Sequence, residues 1–170
     1  GAGEGSCLRI DGSTILFSNC RFYNNQSIMG GAVHGRGVFH NTGFINNTST
    51  NKGGAVYLRF PSKFYNCVFK ENHTTNTGGA IFSGYMEGSE NTIYNCEFIG
   101  NSASGMGGVY GGDTENGPWS HNGFVIQNSY FENNSAGWGA IIGSETVAEY
   151  YYLNNFVIDN CTFIGNYNIS

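Results

Sequence analysis

Two stretches of the 170-residue chain gather the side chains best able to act on a ligand. Residues 111–123 hold Asp113, Glu115, Trp119 and His121, and residues 143–155 hold Glu145, Glu149, Tyr150, Tyr151 and Tyr152. A shorter stretch, 83–91, adds Tyr85, Met86, Glu87 and Glu90. Aromatic faces beside carboxylates hold a sugar ring by stacking and hydrogen bonding. Two converging carboxylates can also serve as general acid and base on a glycosidic bond. The bland alternative is that Trp119 and the tyrosine run cover an exposed side of the scaffold. Elsewhere chemistry is sparse. Asp159, Glu97, Glu71 and Glu132 fall at unrelated positions, and His34, His40, His73 and His121 have no metal-ligand spacing. A loop calcium site using Asp113 and Glu115 is an alternative that no ligand spacing supports. No metal, cofactor or catalytic residue is expected, and the chain reads as a non-enzyme.

The rest of the composition narrows the class. Charged residues make up 11% of the chain, and seven basic residues against twelve acidic ones leave a net charge of −5. That is the wrong footprint for a nucleic-acid binder. Ala, Leu, Glu and Lys are too scarce for a helical bundle, while 39% apolar and 15% aromatic residues can build a core. No apolar run approaches the ~20 residues of a membrane-spanning helix, so no direct membrane span is expected. The five cysteines (Cys7, Cys20, Cys67, Cys96 and Cys161) fit no zinc pattern.

What must position the two stretches is a repeat. One phrase, (Phe/Ile)-x-Asn-(Cys/Ser/Thr)-x-Phe-x-x-Asn, occurs six times. Its copies centre on Phe22, Phe44, Phe69, Phe98, Phe131 and Phe163, spaced 22, 25, 29, 33 and 32 residues apart. A second phrase, Gly-Gly-Ala-(Val/Ile), follows the first three as Gly30–Val33, Gly53–Val56 and Gly78–Ile81. Gly107–Tyr110 and Trp138–Ile141 read as relaxed copies. Length variation falls almost wholly after this second phrase, where the two long stretches leave the scaffold at equivalent points.

Short β-type runs punctuated by Gly and Asn, at a period of about 20–35 residues, mark a stacked solenoid. The sequence therefore predicts an all-β fold: one right-handed, single-stranded parallel β-helix of about six coils over residues 1–170. Equivalent residues should stack about 4.8 Å apart, giving a length of roughly 29 Å. The six phenylalanines should form an internal ladder, with the small Cys/Ser/Thr position also turned inward. Both Asn positions should turn coil corners in the left-handed conformation and bond to the Asn above and below. Cys67 and Cys96 share a column, where stacked side chains suit buried thiols better than a relaxed disulfide. Counting from Asn166 through Ser170 to Gly1 and Ala2 repeats the interval from Asn134 to Ala140. The chain thus reads as a slice of a longer array or a subunit stacking head to tail on copies of itself.

The two phrases together resemble the repeat region of the chlamydial polymorphic outer-membrane proteins and of similar adhesin-like surface proteins. The resemblance implies a right-handed β-helix displayed outside the cell as an adhesin or stalk, with function carried on variable loops. Glycans or cell-surface carbohydrate are the partners to expect at loops 111–123 and 143–155. A carbohydrate-active enzyme or a lectin-like module using those loops is the alternative. Seven Asn-x-Ser/Thr acceptor patterns occur, at Asn25, Asn46, Asn47, Asn72, Asn133, Asn160 and Asn168. Asn46, Asn133 and Asn168, beside turns, are the expected carriers.

Overall fold

The computed structural model describes residues 7–84, 90–113, 124–145 and 156–169. Among these there is no helix. The strands form four faces of six strands each, and every pairing is parallel. The first face comprises Leu8–Arg9, Val33–Gly35, Val56–Leu58, Ile81–Ser83, Tyr110–Asp113 and Ile142–Glu145. Ile15–Ser18, Gly37–His40, Lys63–Tyr65, Asn91–Tyr94, Phe124–Gln127 and Phe156–Asp159 make the second. The third runs through Arg21–Tyr23, Gly43–Ile45, Val68–Lys70, Glu97–Ile99, Tyr130–Glu132 and Thr162–Ile164. Gln26–Met29, Thr48–Lys52, His73–Thr74, Ser102–Met106, Ser135–Trp138 and Tyr167–Asn168 form the fourth. The chain visits the faces in that order and then starts the next coil, so the fold is a parallel β-solenoid.

Alternation along each strand decides what enters the core. On the third face the phenylalanines turn inward and stack ring on ring. Centroids lie 5.0 Å apart for Phe22–Phe44, 4.7 Å for Phe44–Phe69 and Phe69–Phe98, 5.0 Å for Phe98–Phe131 and 4.8 Å for Phe131–Phe163. From the second face Phe39 and Phe64 meet this stack edge-on, an arrangement that suits the ring quadrupole. Ala32, Ala55, Ala80 and Val109, with Val33, Val56, Ile81 and Tyr110, close the core from the first face. Thr42, Cys67, Cys96 and Ser129 lie inside, each two residues before its phenylalanine. Phe163 and Ile158, in the last coil, are each 46% exposed because nothing among the described residues covers them.

Three corrections to the sequence reading follow from the register. The two Asn positions do different work. Asn19, Asn41, Asn66, Asn95, Asn128 and Asn160 take the left-handed conformation, with φ between 48° and 55°. The Asn three residues after each phenylalanine does not. The left-handed residue at that second corner is the one before it: Asn24, Asn46, Glu71, Gly100, Asn133 and Gly165. The fifth Gly-Gly-Ala copy is also displaced by one. Tyr110 pairs with Ile142, not Ile141, so Gly139 holds the first glycine position at φ 60° and Ala140 the second. Finally, Leu8 pairs with Val33, so the residue in the Ala32 column is Cys7 rather than Ala2.

The corner glycines have two separate causes. Gly30, Gly53, Gly78, Gly107 and Gly139 need positive φ, from 60° to 77°. Gly31, Gly54, Gly79 and Gly108 are required by crowding. A Cβ on any of them would sit inside contact distance of the next coil's carbonyl, that of Gly54, Gly79, Gly108 and Ala140 in turn.

Candidate functional site

The long insertions leave the solenoid side by side. Gly111, Gly112 and Asp113 are strand residues, as are Gly143, Ser144 and Glu145, so both insertions begin later than the sequence suggested. Asp113 is the register partner of Glu145 on the neighbouring coil, and Gly112 is that of Ser83 one coil back. All three insertions therefore leave one edge of the first face on successive coils. Glu115, Trp119, His121, Glu149, Tyr150, Tyr151 and Tyr152 lie outside the described residues, as do Tyr85, Met86 and Glu87.

A buried polar ladder, the Asn column, lies inside the corner between the third and fourth faces. Asn47, Asn72, Asn101 and Asn134 are fully buried. Each Oδ1 accepts two bonds from the Asn one coil earlier, one from its backbone N–H and one from its Nδ2 group. For Asn72 accepting from Asn47 both are 3.0 Å, and for Asn101 accepting from Asn72 they are 3.1 and 2.9 Å. Each Nδ2 also donates to the preceding coil's phenylalanine carbonyl, as Asn72 does to Phe44 at 2.9 Å and Asn101 to Phe69 at 2.8 Å. A primary amide is the one neutral side chain able to accept two bonds and donate two more in this geometry. The ladder is structural and leaves no group over for chemistry.

The other Asn column faces solvent at the corner between the second and third faces. There Asn41 donates to Asn19 at 3.2 Å, Asn95 to Asn66 at 2.7 Å and Asn160 to Asn128 at 2.6 Å. The steps from Asn66 to Asn41 and from Asn128 to Asn95 carry no such bond. At the latter step a groove of about 260 Å³ opens, lined by Asn66, Asn95, Asn128, Val68, Glu97 and Tyr130, with Cys67 and Cys96 at its floor. Val68, Glu97 and Tyr130 are register partners, one per coil. The Tyr130 phenol is held above its ordinary pKa by local desolvation, then by a hydrogen bond with Glu132 and the charges of Glu132 and Glu97. Nothing in the sequence reading picked out this groove. The available signal was that Val68, Glu97 and Tyr130 occupy one column beside the Asn of each phrase.

All five cysteines are free thiols. Cys96 is buried, and burial pushes its thiol well above the usual range. The thiol donates to backbone carbonyls, those of Phe64 at 3.5 Å and Tyr94 at 3.3 Å. Among the described residues no three His, Cys, Asp or Glu side chains converge as a metal site. No helix among them is long and apolar enough to cross a membrane. Of the acceptor asparagines, Asn46, Asn133, Asn160 and Asn168 are exposed, Asn25 is half-buried, and Asn47 and Asn72 are buried in the internal ladder.

Fold and register together define a β-solenoid repeat protein. Residues 44–59 and 66–84 match the family model described as the Chlamydia polymorphic membrane protein repeat. Each matched segment runs from the third face through the Asn ladder and the glycine corner to the first face, so the match covers the parts that build a coil. These two segments are similar to that repeat. No curated protein and no solved structure matches the chain.

Proposed function

We propose that this chain is a non-enzymatic structural and adhesive module displayed at the cell surface, a stiff stalk built coil on coil. The observation that carries the reading is the unbroken parallel pairing of all four faces. It makes each coil the template for the next and yields a rod whose neighbouring coils hold one another. Support for surface display comes from the polymorphic membrane protein repeats. Immunogold labelling of intact, unpermeabilised source cells tests it: label outside the envelope is expected, and label only after permeabilisation overturns it.

The same template extends the proposal to end-to-end stacking. In the interior each Asn accepts from the coil before it and donates to that coil's phenylalanine carbonyl. By that rule the last coil turns the Asn166 N–H and the Phe163 carbonyl outward, and the first coil turns the Asn25 Oδ1 outward. These edges are complementary, and exposed Ile158 and Phe163 add apolar surface. A free parallel edge with apolar residues invites another strand. Ala140 opposes close contact at one corner, because it holds the position that is glycine wherever a coil follows. Light scattering on the 170-residue chain should therefore show association rising with concentration. Ala140→Gly should strengthen it and Phe163→Lys abolish it. A strict monomer in both the parent chain and Ala140→Gly would rule stacking out.

Glycosylation fits the same display. Asn46 and Asn133 occupy equivalent exposed corner positions three coils apart in the stack's sequence of Asn24, Asn46, Glu71, Gly100 and Asn133, and Asn168 is exposed in the last described coil, in register with buried Ala136. A glycan at Asn47 or Asn72 would destroy the buried ladder. Peptide mass spectrometry of native material should find sugar at Asn46, Asn133 or Asn168 and none at Asn47 or Asn72. Sugar on Asn72 in folded protein, or none at the three exposed sites, would refute this.

A further inference from the structure

We infer that the groove at the corner between the second and third faces is a binding site for a neutral pyranose sugar. The inference is independent of how the module is anchored or assembled. Its basis is the interruption of the exposed amide column at the step beside the groove. Asn95 uses one Nδ2 hydrogen on Asn66, and the Asn128 Oδ1 accepts from Asn160. The Oδ1 of Asn95 and the Nδ2 group of Asn128, on adjacent coils that line the groove, are not bonded to each other and can meet a ligand there. Neighbouring hydroxyls of a sugar ring, each both donor and acceptor, match that pair.

The third-face wall completes the site. Glu97 supplies a carboxylate acceptor, and hydrogen bonds to a charged group are the stronger kind. On either side of it, one coil away, stand Val68 and Tyr130, giving apolar and aromatic surface for the C–H face of a ring. The volume of about 260 Å³ is sized for one or two rings. Charge sets the class. No Lys, Arg or His lines the groove, while Glu97 does, with Glu132 close to Tyr130. Phosphorylated, sulfated and uronic sugars would meet an uncompensated carboxylate, so the ligand is uncharged. The floor of buried thiols offers no competing polar group.

Calorimetric titration of the whole chain with methyl α-mannoside, methyl β-galactoside, N-acetylglucosamine and glucuronic acid tests this. At least one neutral sugar should bind, and glucuronic acid should bind more weakly than it. Losing one charge-assisted or two neutral hydrogen bonds should weaken binding about tenfold in Glu97→Gln and Asn128→Gly. Glycine at 128 keeps the left-handed corner while deleting the amide, so the coil is preserved. Tyr130→Ala should act similarly, and Trp119→Ala should change nothing. Absence of binding by all three neutral sugars overturns the inference. So does binding untouched by changes at 97, 128 and 130, or binding lost only with Trp119→Ala, which would move the site to the insertions.

Discussion

Replacing Asn72 with alanine is expected to cost at least about 3 kcal/mol, since it orphans three buried hydrogen-bonding groups at about 1–3 kcal/mol each. The three are the backbone N–H of Asn47, one hydrogen of the Asn47 amide, and the carbonyl of Phe44. No water reaches them, because Asn47, Asn72 and Phe44 have no exposed surface. The neighbouring position supplies the control. Asn46 has the same side chain one coil earlier at the exposed corner, with φ 52°. Asn46→Gly keeps the left-handed backbone and leaves only the Asn24 amide, which water can satisfy, so it should change stability by no more than about 0.5 kcal/mol. Chemical denaturation followed by circular dichroism separates the two. Equal effects at the two positions would show that the internal ladder adds nothing beyond the corner it sits beside. Hydrogen exchange should place the Asn72→Ala damage in the coils on either side, because each coil holds only its neighbours.

Gly79→Ala should be more damaging still, enough to prevent the central coils from closing. A methyl group there would overlap the Gly108 carbonyl of the next coil and lie 2.6 Å from the Ser102 carbonyl oxygen. Both obstacles are backbone atoms locked in the parallel ladder, so relief means separating two coils and breaking pairings on more than one face. Destabilisation above about 4 kcal/mol, or failure to fold, is the expected outcome. Gly43→Ala is the contrast. Its Cβ would meet only side-chain atoms of Ile45 and Arg21, the nearest at 3.7 Å. That change should be neutral, or stabilising by up to about 1 kcal/mol through the unfolded chain. A Gly79→Ala protein that melts with the parent would mean that the coil spacing at this corner is looser than the structure shows.

Ala140 makes the same point from inside the chain. It occupies the second glycine position of its corner, yet no coil among the described residues stacks over it there. Alanine is tolerated where the opposing carbonyl is missing. The glycine is thus a requirement of being followed by a coil, not of the turn itself. Sequence inspection could not separate these two causes, because both glycines appear together as one phrase.

How much was legible followed from what repetition can carry. Six copies of an aromatic-and-amide phrase, with strand alternation, were enough to place Phe22 through Phe163 in one inward column and to predict parallel coils. A repeating chain in a solenoid puts like over like, so pattern becomes position. Residue type alone did not divide the labour between the two Asn columns. Asn serves equally as a left-handed corner and as a four-bond amide, and only the backbone angles tell Asn95 from Asn101. The left-handed corner at Asn46, Glu71 and Gly100 was missed because different residues fill it, united by φ rather than by identity. The one-residue slip at Gly139 arose because Trp138-Gly139-Ala140 imitates the glycine phrase by eye, while the left-handed angle belongs to the first glycine.

The sequence by itself determined the solenoid, its inner columns and the common exit of the long insertions, since those depend on spacing along one chain. Only the tertiary structure decided the groove at Asn95 and Asn128, the register of Asp113 with Glu145 and the exclusion of Asn47 and Asn72 from solvent. Each of these depends on which hydrogen bonds and contacts neighbouring coils actually make. Those contacts join residues 22 to 33 positions apart, where the local pattern carries no information about which amide bonds which.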